Sequence, residues 1–224
     1  MAMAMLLLLG GTFLLYQYRV NHLLALERVR TRLASDLHDD LGADLAEIAI
    51  LSEVAKHEDH LRAMQLLDGI AGRARSLRAA MTDIVWTVDP REDSLSALVL
   101  RMRQTAFTML ESDERSVEFL APSDDQLQVE LDPTVRRHVL LFFKEVVTNV
   151  ARHAGATGVW MDIEAAKGQF RISVRDNGCG FDPQQSFSGR GLRSLQYRAQ
   201  QLHGNCRVQS VPGQGTETVL TLVL

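Results

Sequence analysis

The chain has 224 residues, with 24 Lys and Arg against 28 Asp and Glu and a formal net charge of −4. That balance excludes a general nucleic-acid binder, which carries a clustered basic excess. Two cysteines, Cys179 and Cys206, exclude a disulfide scaffold and a cysteine-rich zinc module, and they suit a reducing compartment.

Met1 to Tyr18 carries no charged side chain, and its core reads MLLLLGGTFLL. A helix needs about 18–20 apolar residues to cross hydrocarbon. Tyr16 and Tyr18 beside Arg19 fit the water interface, and Arg28, Arg30 and Arg32 follow. The positive-inside rule therefore puts the remainder in the cytoplasm. Residues 1–19 are predicted to be a transmembrane helix. A signal peptide is the rival, but it usually has a basic start and a small-residue cleavage site and neither is clear here, and the plainer alternative is a buried soluble helix. No sensory domain fits outside the membrane, so the chain is expected to be a fragment of a longer receptor or to take its input from a partner or the bilayer.

From Val20 the pattern is helical. Leu33, Leu37, Leu41, Leu45 and Ile48 recur every three to four residues, predicting a helix to about Lys56. HEDH at 57–60 breaks it. A second run passes through Leu61, Met64, Leu67, Ala71, Ala74, Leu77, Met81 and Ile84 and ends before Pro90. Two amphipathic helices joined by a tight turn leave an apolar stripe uncovered, and pairing two such hairpins gives a four-helix bundle. Residues 20–93 are thus predicted to be an antiparallel hairpin forming an obligate homodimer. Ser94 can cap a further helix, assigned with residues 94–114 to a linker.

After Glu111 the pattern alternates. Strands are predicted at 116–120, 127–131, 158–164, 169–175, 207–211 and 217–224, with helices from Asp132-Pro133 to His153 and from Gly191 to Leu202. Strands mixed with helices in this order predict an α+β sandwich over 115–224. The whole is expected to be multidomain.

Three glycine-bearing loops fall in this part: DNGCGF at 176–181, SGRGL at 188–192 and GQGT at 213–216. Glycines let backbone approach a ligand closely. Gly189 and Gly191 precede a helix start, where free N–H groups favour phosphate. Upstream, KEVVTNVARH puts Glu145, Asn149 and Arg152 or His153 on one helix face. Acid, amide and base on one face suit a magnesium–phosphate group.

KEVVTNVARH, DNGCGF, GRGL and GQGTET resemble, in order and spacing, the asparagine box and glycine boxes of the GHKL (Bergerat) ATP-binding fold, shared by histidine kinases, gyrase, a heat-shock chaperone and mismatch-repair proteins. The resemblance implies roles. Asp176 accepts the adenine amino group, and Gly178 and Gly180 make room for the base. Asn149 binds Mg²⁺ with Glu145 beside it, Gly189, Gly191 and the Leu192 amide cradle phosphates, and Thr216 supports the adenine end. Phe181 to Gly189 would be a mobile lid.

DLHDDLGADL places His38 at the edge of the first helix's leucine stripe, where neutral imidazole is a competent nucleophile. Asp39 follows and can hold or take the ring proton. ERVRTRLASDLHDDLG and DIVWTVDP resemble the two helices of sensor histidine kinases of the nitrate-sensor subgroup. That resemblance implies ATP-dependent autophosphorylation of His38 with Glu145 assisting, transfer to an aspartate on a response regulator receiver domain, and residence at a bacterial inner membrane, with no direct nucleic-acid contact. Many members carry a polar residue, linked to phosphatase activity, where this chain has Ala43, so phosphatase activity is expected to be weak. The competing readings are a GHKL-fold ATPase clamp, a catalytically silent dimerisation scaffold and a serine kinase, the last lacking the His38-Asp39 helix. His57 and His60 are read as polar turn residues, His138 and His203 as structural, Cys179 as a small filler, and Trp86 and Trp160 as packing.

Overall fold

The structure, a computed structural model, describes residues 16–17, 31, 42, 45–110, 112, 115–166, 168–182 and 190–224. It divides into two compact units, Met1–Asp89 and Pro90–Leu224. His38, Asp39, Ala43, Gly189, most of the transmembrane helix expected at 1–19 and all but two residues of the expected lid lie outside the described residues. Among the described residues no helix is long and apolar enough to cross a membrane.

In the first unit, helical residues 45–55 are followed by a turn at 56–58 and helix α1, His60–Val88. The HEDH break predicted from sequence is this turn. Asp59 caps α1, its Oδ1 accepting from the Arg62 amide at 3.0 Å, which satisfies one of the free N–H groups at a helix start. Arg73 meets Glu47 at 2.6 Å across the turn, so the two helical segments run back along one another. Leu45, Ile50, Leu61, Met64, Leu67, Met81 and Val85 stay exposed. Those apolar positions are uncovered in a single chain.

The second unit opens with a 3₁₀ turn, Pro90–Glu92, and α2, Leu95–Leu110. Ser94 Oγ accepts from the Ala97 amide at 3.1 Å, capping α2 as expected. The linker assignment of this helix needs correction: Leu95, Leu98, Val99, Met102, Ala106 and Leu110 are buried in the core of the second unit. Strand β1 is Ser116–Leu120. The strand expected at 127–131 is absent. Leu127 closes a 3₁₀ turn begun at Asp124, and Val129 and Leu131 bond the backbone beside α2, with Leu95 N–H donating to Val129 O and Leu131 N–H to Asp93 O, both at 2.8 Å. Apolar spacing was satisfied there by burying Leu127 and Leu131 against the core without a sheet neighbour.

Helix α3, Pro133–Asn149, starts as predicted, with the Asp132 side chain accepting from the Thr134 amide at 2.7 Å and proline in the first turn. It loosens into one π turn, Val150–Ala154, ended by Gly155 at φ +58°. Strands β2, Gly158–Ala166, and β3, Gln169–Asp176, follow. Then come α4, Arg190–Gln201, and strands β4, Asn205–Ser210, and β5, Thr216–Val223. The strand order is β1-β2-β3-β5-β4, with β1 parallel to β2 and the other pairs antiparallel.

One face of the sheet buries Val159, Met161, Ile163, Phe170, Ile172, Val174, Leu220 and Leu222. Helices α2 and α4 both pack on α3, which contributes Phe142, Phe143, Val146 and Val147 to the core. This is the two-layer α+β sandwich expected. The other sheet face is polar. Trp160, read from sequence as packing, stands there under the Arg175 guanidinium, 4.9 Å from its ring centre.

Arg136 is completely buried on α3, and its Nη1 lies 2.9 Å from Asp93 Oδ1 ahead of α2. Removing one partner of a buried ion pair leaves a charge without compensation. Asp93→Ala is expected to lower unfolding free energy by about 3 kcal/mol in a urea melt. A loss within experimental error would contradict this role.

Candidate functional site

A cleft of about 490 Å³ opens where the end of α3, the start of α4 and the ends of β3, β4 and β5 converge. Of the residues singled out from sequence, Asn149, His153, Asp176, Gly180, Gly191, Leu192 and Thr216 line it. The topology explains the convergence. β3 ends at Asp176 directly opposite the first residue of β5, Thr216. The segments following β3 and preceding β5 therefore leave the sheet side by side.

Asp176 is the buried acid of the site, 5% exposed. Its Oδ1 accepts from the Gly178 amide at 2.8 Å. Burial raises its pKa above the ordinary carboxylate range, opposed by the backbone N–H groups of Gly178 and Thr216. Asn177 anchors the turn, its Oδ1 accepting from the amides of Thr157 at 3.0 Å and Gly158 at 2.8 Å.

The glycines here are demanded by space. A Cβ on Gly178 would meet the Ala154 carbonyl, with Ala154 Cβ at 2.7 Å. Gly180 has φ +57°, and a Cβ on it would meet the Val211 carbonyl. These contacts press the loop after β3 onto the π turn and onto the loop before β5. The Gly213 amide donates to Cys179 O at 2.6 Å, stitching those two loops together.

At the start of α4, a Cβ on Gly191 would sit 2.9 Å from Glu145 Oε1 and 3.5 Å from the Asn149 amide atoms. Glu145 and Asn149 thus share one face of α3 and face the start of α4. Among the described residues no group of three or more His, Cys, Asp or Glu could hold a metal alone. One amide and one carboxylate oxygen suit Mg²⁺, which keeps few protein ligands and completes its shell with water and phosphate. The donor set fits a metal bound jointly with a phosphate chain.

Of the described residues singled out from sequence, Glu145, Gly178 and Arg152 do not line the cleft, and Cys179 does. Arg152 is exposed and does not line the cleft, because the π turn carries it off the face shared by Glu145 and Asn149. Cys179, read as a small filler, is exposed and lines the cleft, its Sγ donating to His153 O at 3.3 Å. His138 is buried as a structural residue would be, and burial followed by the nearby Arg137 and Arg198 charges lowers its pKa. Sequence reasoning missed the apolar wall of Val146, Val150, Val174, Leu195 and Val208. Their spacing marks buried positions without distinguishing a cleft wall from a core. It also missed Ser210, whose Oγ accepts from the Phe181 amide at 2.9 Å.

The fold favours protonated Asp176, so its contribution to stability is present at low pH and is lost as pH rises through the raised pKa. The resemblance implies that Asp176 receives an adenine amino group, for which the ionised carboxylate is the stronger acceptor. ADP affinity is therefore expected to fall on acidification from a higher pH than an ordinary carboxylate would set. Asp176→Asn should lower affinity at neutral pH at least about tenfold and lack that acid limb. Titration calorimetry across pH checks this, and identical profiles for the two proteins would contradict it.

Residues 29–93 match the family described as "Histidine kinase", and residues 134–224 match "Histidine kinase-, DNA gyrase B-, and HSP90-like ATPase". Sensor histidine kinase LiaS of Bacillus subtilis is 28% identical over 84% of this chain and 52% of its own length. Nitrate/nitrite sensor protein NarX of Escherichia coli is 26% identical over 93% of this chain and 35% of its own. The chain spans about half or less of the length of the curated relatives it matches. Among solved structures, the histidine kinase domain of a blue-light activated histidine kinase from Erythrobacter litoralis shares the fold. Its TM-score is 0.54 at 20% identity, covering 82% of this chain and 95% of that one. With a histidine kinase match over the helical hairpin and an ATPase match over the sandwich that holds the cleft, the chain belongs to the sensor histidine kinase family.

Proposed function

We propose that this chain is an ATP-dependent protein-histidine kinase that phosphorylates its own His38 and passes the phosphoryl group to an aspartate of a response regulator receiver domain. The observation that carries the reading is the cleft itself. A buried acid, Asp176, lines it together with Asn149, whose helix neighbour Glu145 faces Gly191, and glycines stand at Gly180 and Gly191 where a side chain would collide. A nucleotide calls for the same two features, an acceptor for its base and polar groups for its phosphate chain.

In this reading Asp176 receives the adenine amino group while the apolar wall of Val150, Val174 and Leu195 covers the ring faces. Gly191 and the Leu192 amide at the start of α4 receive phosphate oxygens, where the helix dipole favours negative charge. Asn149 and Glu145 would hold Mg²⁺, which when bound neutralises charge on the phosphates. Phosphoryl transfer asks of the protein mainly position and charge neutralisation. The His38 ring then needs a free nitrogen lone pair in line with the γ-phosphate, and Asp39 beside it can hold the other ring proton. The phosphorus–oxygen bond to ADP breaks as the nitrogen–phosphorus bond forms.

The uncovered apolar positions of the hairpin support a homodimer through residues 20–93. The uncharged run at 1–18, followed by Arg19, supports anchoring in the inner membrane with the catalytic part in the cytoplasm. Relatives named as sensors support a signalling role. The Asp93 and Ser94 backbone already belongs to the sandwich, so the kinase unit begins where the hairpin ends.

Incubation with γ-labelled ATP tests the reaction. Acid-labile, base-stable label that is lost in His38→Gln is expected, and steady ATP hydrolysis without labelled protein would favour a clamp-type ATPase instead. Ala43 supplies a methyl group that cannot orient a hydrolytic water. The purified protein is thus expected not to accelerate phosphate loss from its phosphorylated regulator, and Ala43→Gln is expected to raise that rate. Rapid dephosphorylation unaffected by Ala43→Gln would contradict the assignment.

A further inference from the structure

The geometry points to Ser210 as a specificity determinant of the cleft: it consumes the hydroxyl proton of Thr216, so that Thr216 and Asp176 present a ligand with acceptors only and select an exocyclic amine over a carbonyl. The inference deepens the nucleotide reading above and rests on it.

Three neighbouring strands place these residues in one line. Ser210 on β4 pairs with Thr216 on β5, and Thr216 pairs with Asp176 on β3. Ser210 is buried, and its Oγ has three polar neighbours. These are the Phe181 amide at 2.9 Å, the Gly215 carbonyl at 3.1 Å and Thr216 Oγ1 at 2.9 Å. A serine hydroxyl has one proton to give and two lone pairs to receive with.

Counting protons fixes the direction of each bond. The Phe181 N–H can only donate, so it occupies one lone pair of Ser210. The Gly215 carbonyl can only accept, so it takes the Ser210 proton. The remaining lone pair of Ser210 faces Thr216, whose hydroxyl must then donate. The opposite direction between the two hydroxyls, geometrically open by itself, would leave Ser210 and the Gly215 carbonyl as two acceptors 3.1 Å apart with no proton between them. The Gly215 carbonyl also receives the Val211 amide, at the longer distance of 3.4 Å, so what opposes that direction is the repulsion of the two close lone pairs.

Thr216 therefore has lone pairs and no proton for the cleft that it lines. Its backbone N–H is also spent, on the Asp176 carboxylate. At this end the cleft offers Asp176 oxygen and Thr216 Oγ1, both acceptors. An amino group on a base satisfies them. A carbonyl at the same place sets lone pair against lone pair at the position the amine would fill, which costs more than a lost contact. Phe181 is the last residue but one before residues 183–189, so the same serine also ties down the backbone entering that segment.

The test compares ADP with IDP, which carries a carbonyl in place of the amino group, by titration calorimetry on the full chain with Mg²⁺. Diphosphates avoid turnover. Wild-type protein is expected to prefer ADP. Ser210→Ala frees the Thr216 proton to turn toward the ligand, and the ADP-to-IDP preference should shrink about tenfold, equivalent to one hydrogen bond. An unchanged preference in a Ser210→Ala protein that still binds ADP overturns the inference while leaving the nucleotide reading intact. Absence of ADP binding by wild-type protein overturns both. Thr216→Val supplies an independent arm if Ser210→Ala does not fold. Removing an acceptor should shrink the preference for ADP, whereas removing a donor would enlarge it, and enlargement overturns the assignment.

Discussion

The site depends on one constraint, a carboxylate that must be both buried and usable. Asp176 sits at the end of β3 with little exposed surface, and burial disfavours its charge. Backbone N–H groups of Gly178 and Thr216 offset part of that cost. For both donors to reach it, the chain must turn sharply after Asp176 and return to the sheet beside it. Those turns are what the glycines permit. Gly178 packs against Ala154, Gly180 against Val211, and Gly215 against Asp176 itself, each where a side chain would collide with backbone. The sheet order then does the rest, because β3 and β5 are direct neighbours although α4 and β4 separate them in sequence.

The same economy governs the helix side. Asp132 and a first-turn proline start α3, and its buried face of Phe142, Phe143, Val146 and Val147 sets its rotation on the core. With that rotation fixed, Glu145 and Asn149 meet the start of α4 at Gly191. The π turn that follows shifts His153 onto the cleft wall and leaves Arg152 exposed off it. Packing thereby determines which polar residues of KEVVTNVARH touch a ligand. Arg136 and Asp93 link this helix to the segment that opens the unit, so α2 is part of the framework beneath the site.

Much of this was legible in the sequence where one local signal decides the outcome. Caps at Ser94 and Asp132, the HEDH turn and five of the six expected strands all follow from residue type and period. The strand expected at 127–131 was not legible, because Leu127 and Leu131 are buried on one side with exposed residues between them, and three spaced apolar residues mimic alternation. The role of residues 95–110 was misread for a related reason. An amphipathic helix shows which face it buries and not which unit it buries it against. At the site, the acids, amides and glycines stood out by spacing. Ser210 did not, since a lone serine at a strand end acquires meaning only when Phe181, Gly215 and Thr216 converge on it. Residues 1–44 carry the strongest functional expectation, His38, and here the sequence pattern and the match over 29–93 bear the argument.

The most direct measurement of the central claim is an amide chemical-shift map recorded while Mg²⁺ and ADP are titrated into the ¹⁵N-labelled chain. The account predicts saturable shifts largest at Gly178, Gly180, Gly191 and Thr216, marking one cleft. Saturating nucleotide that leaves these four amides unmoved, or that shifts a separate surface, would contradict it.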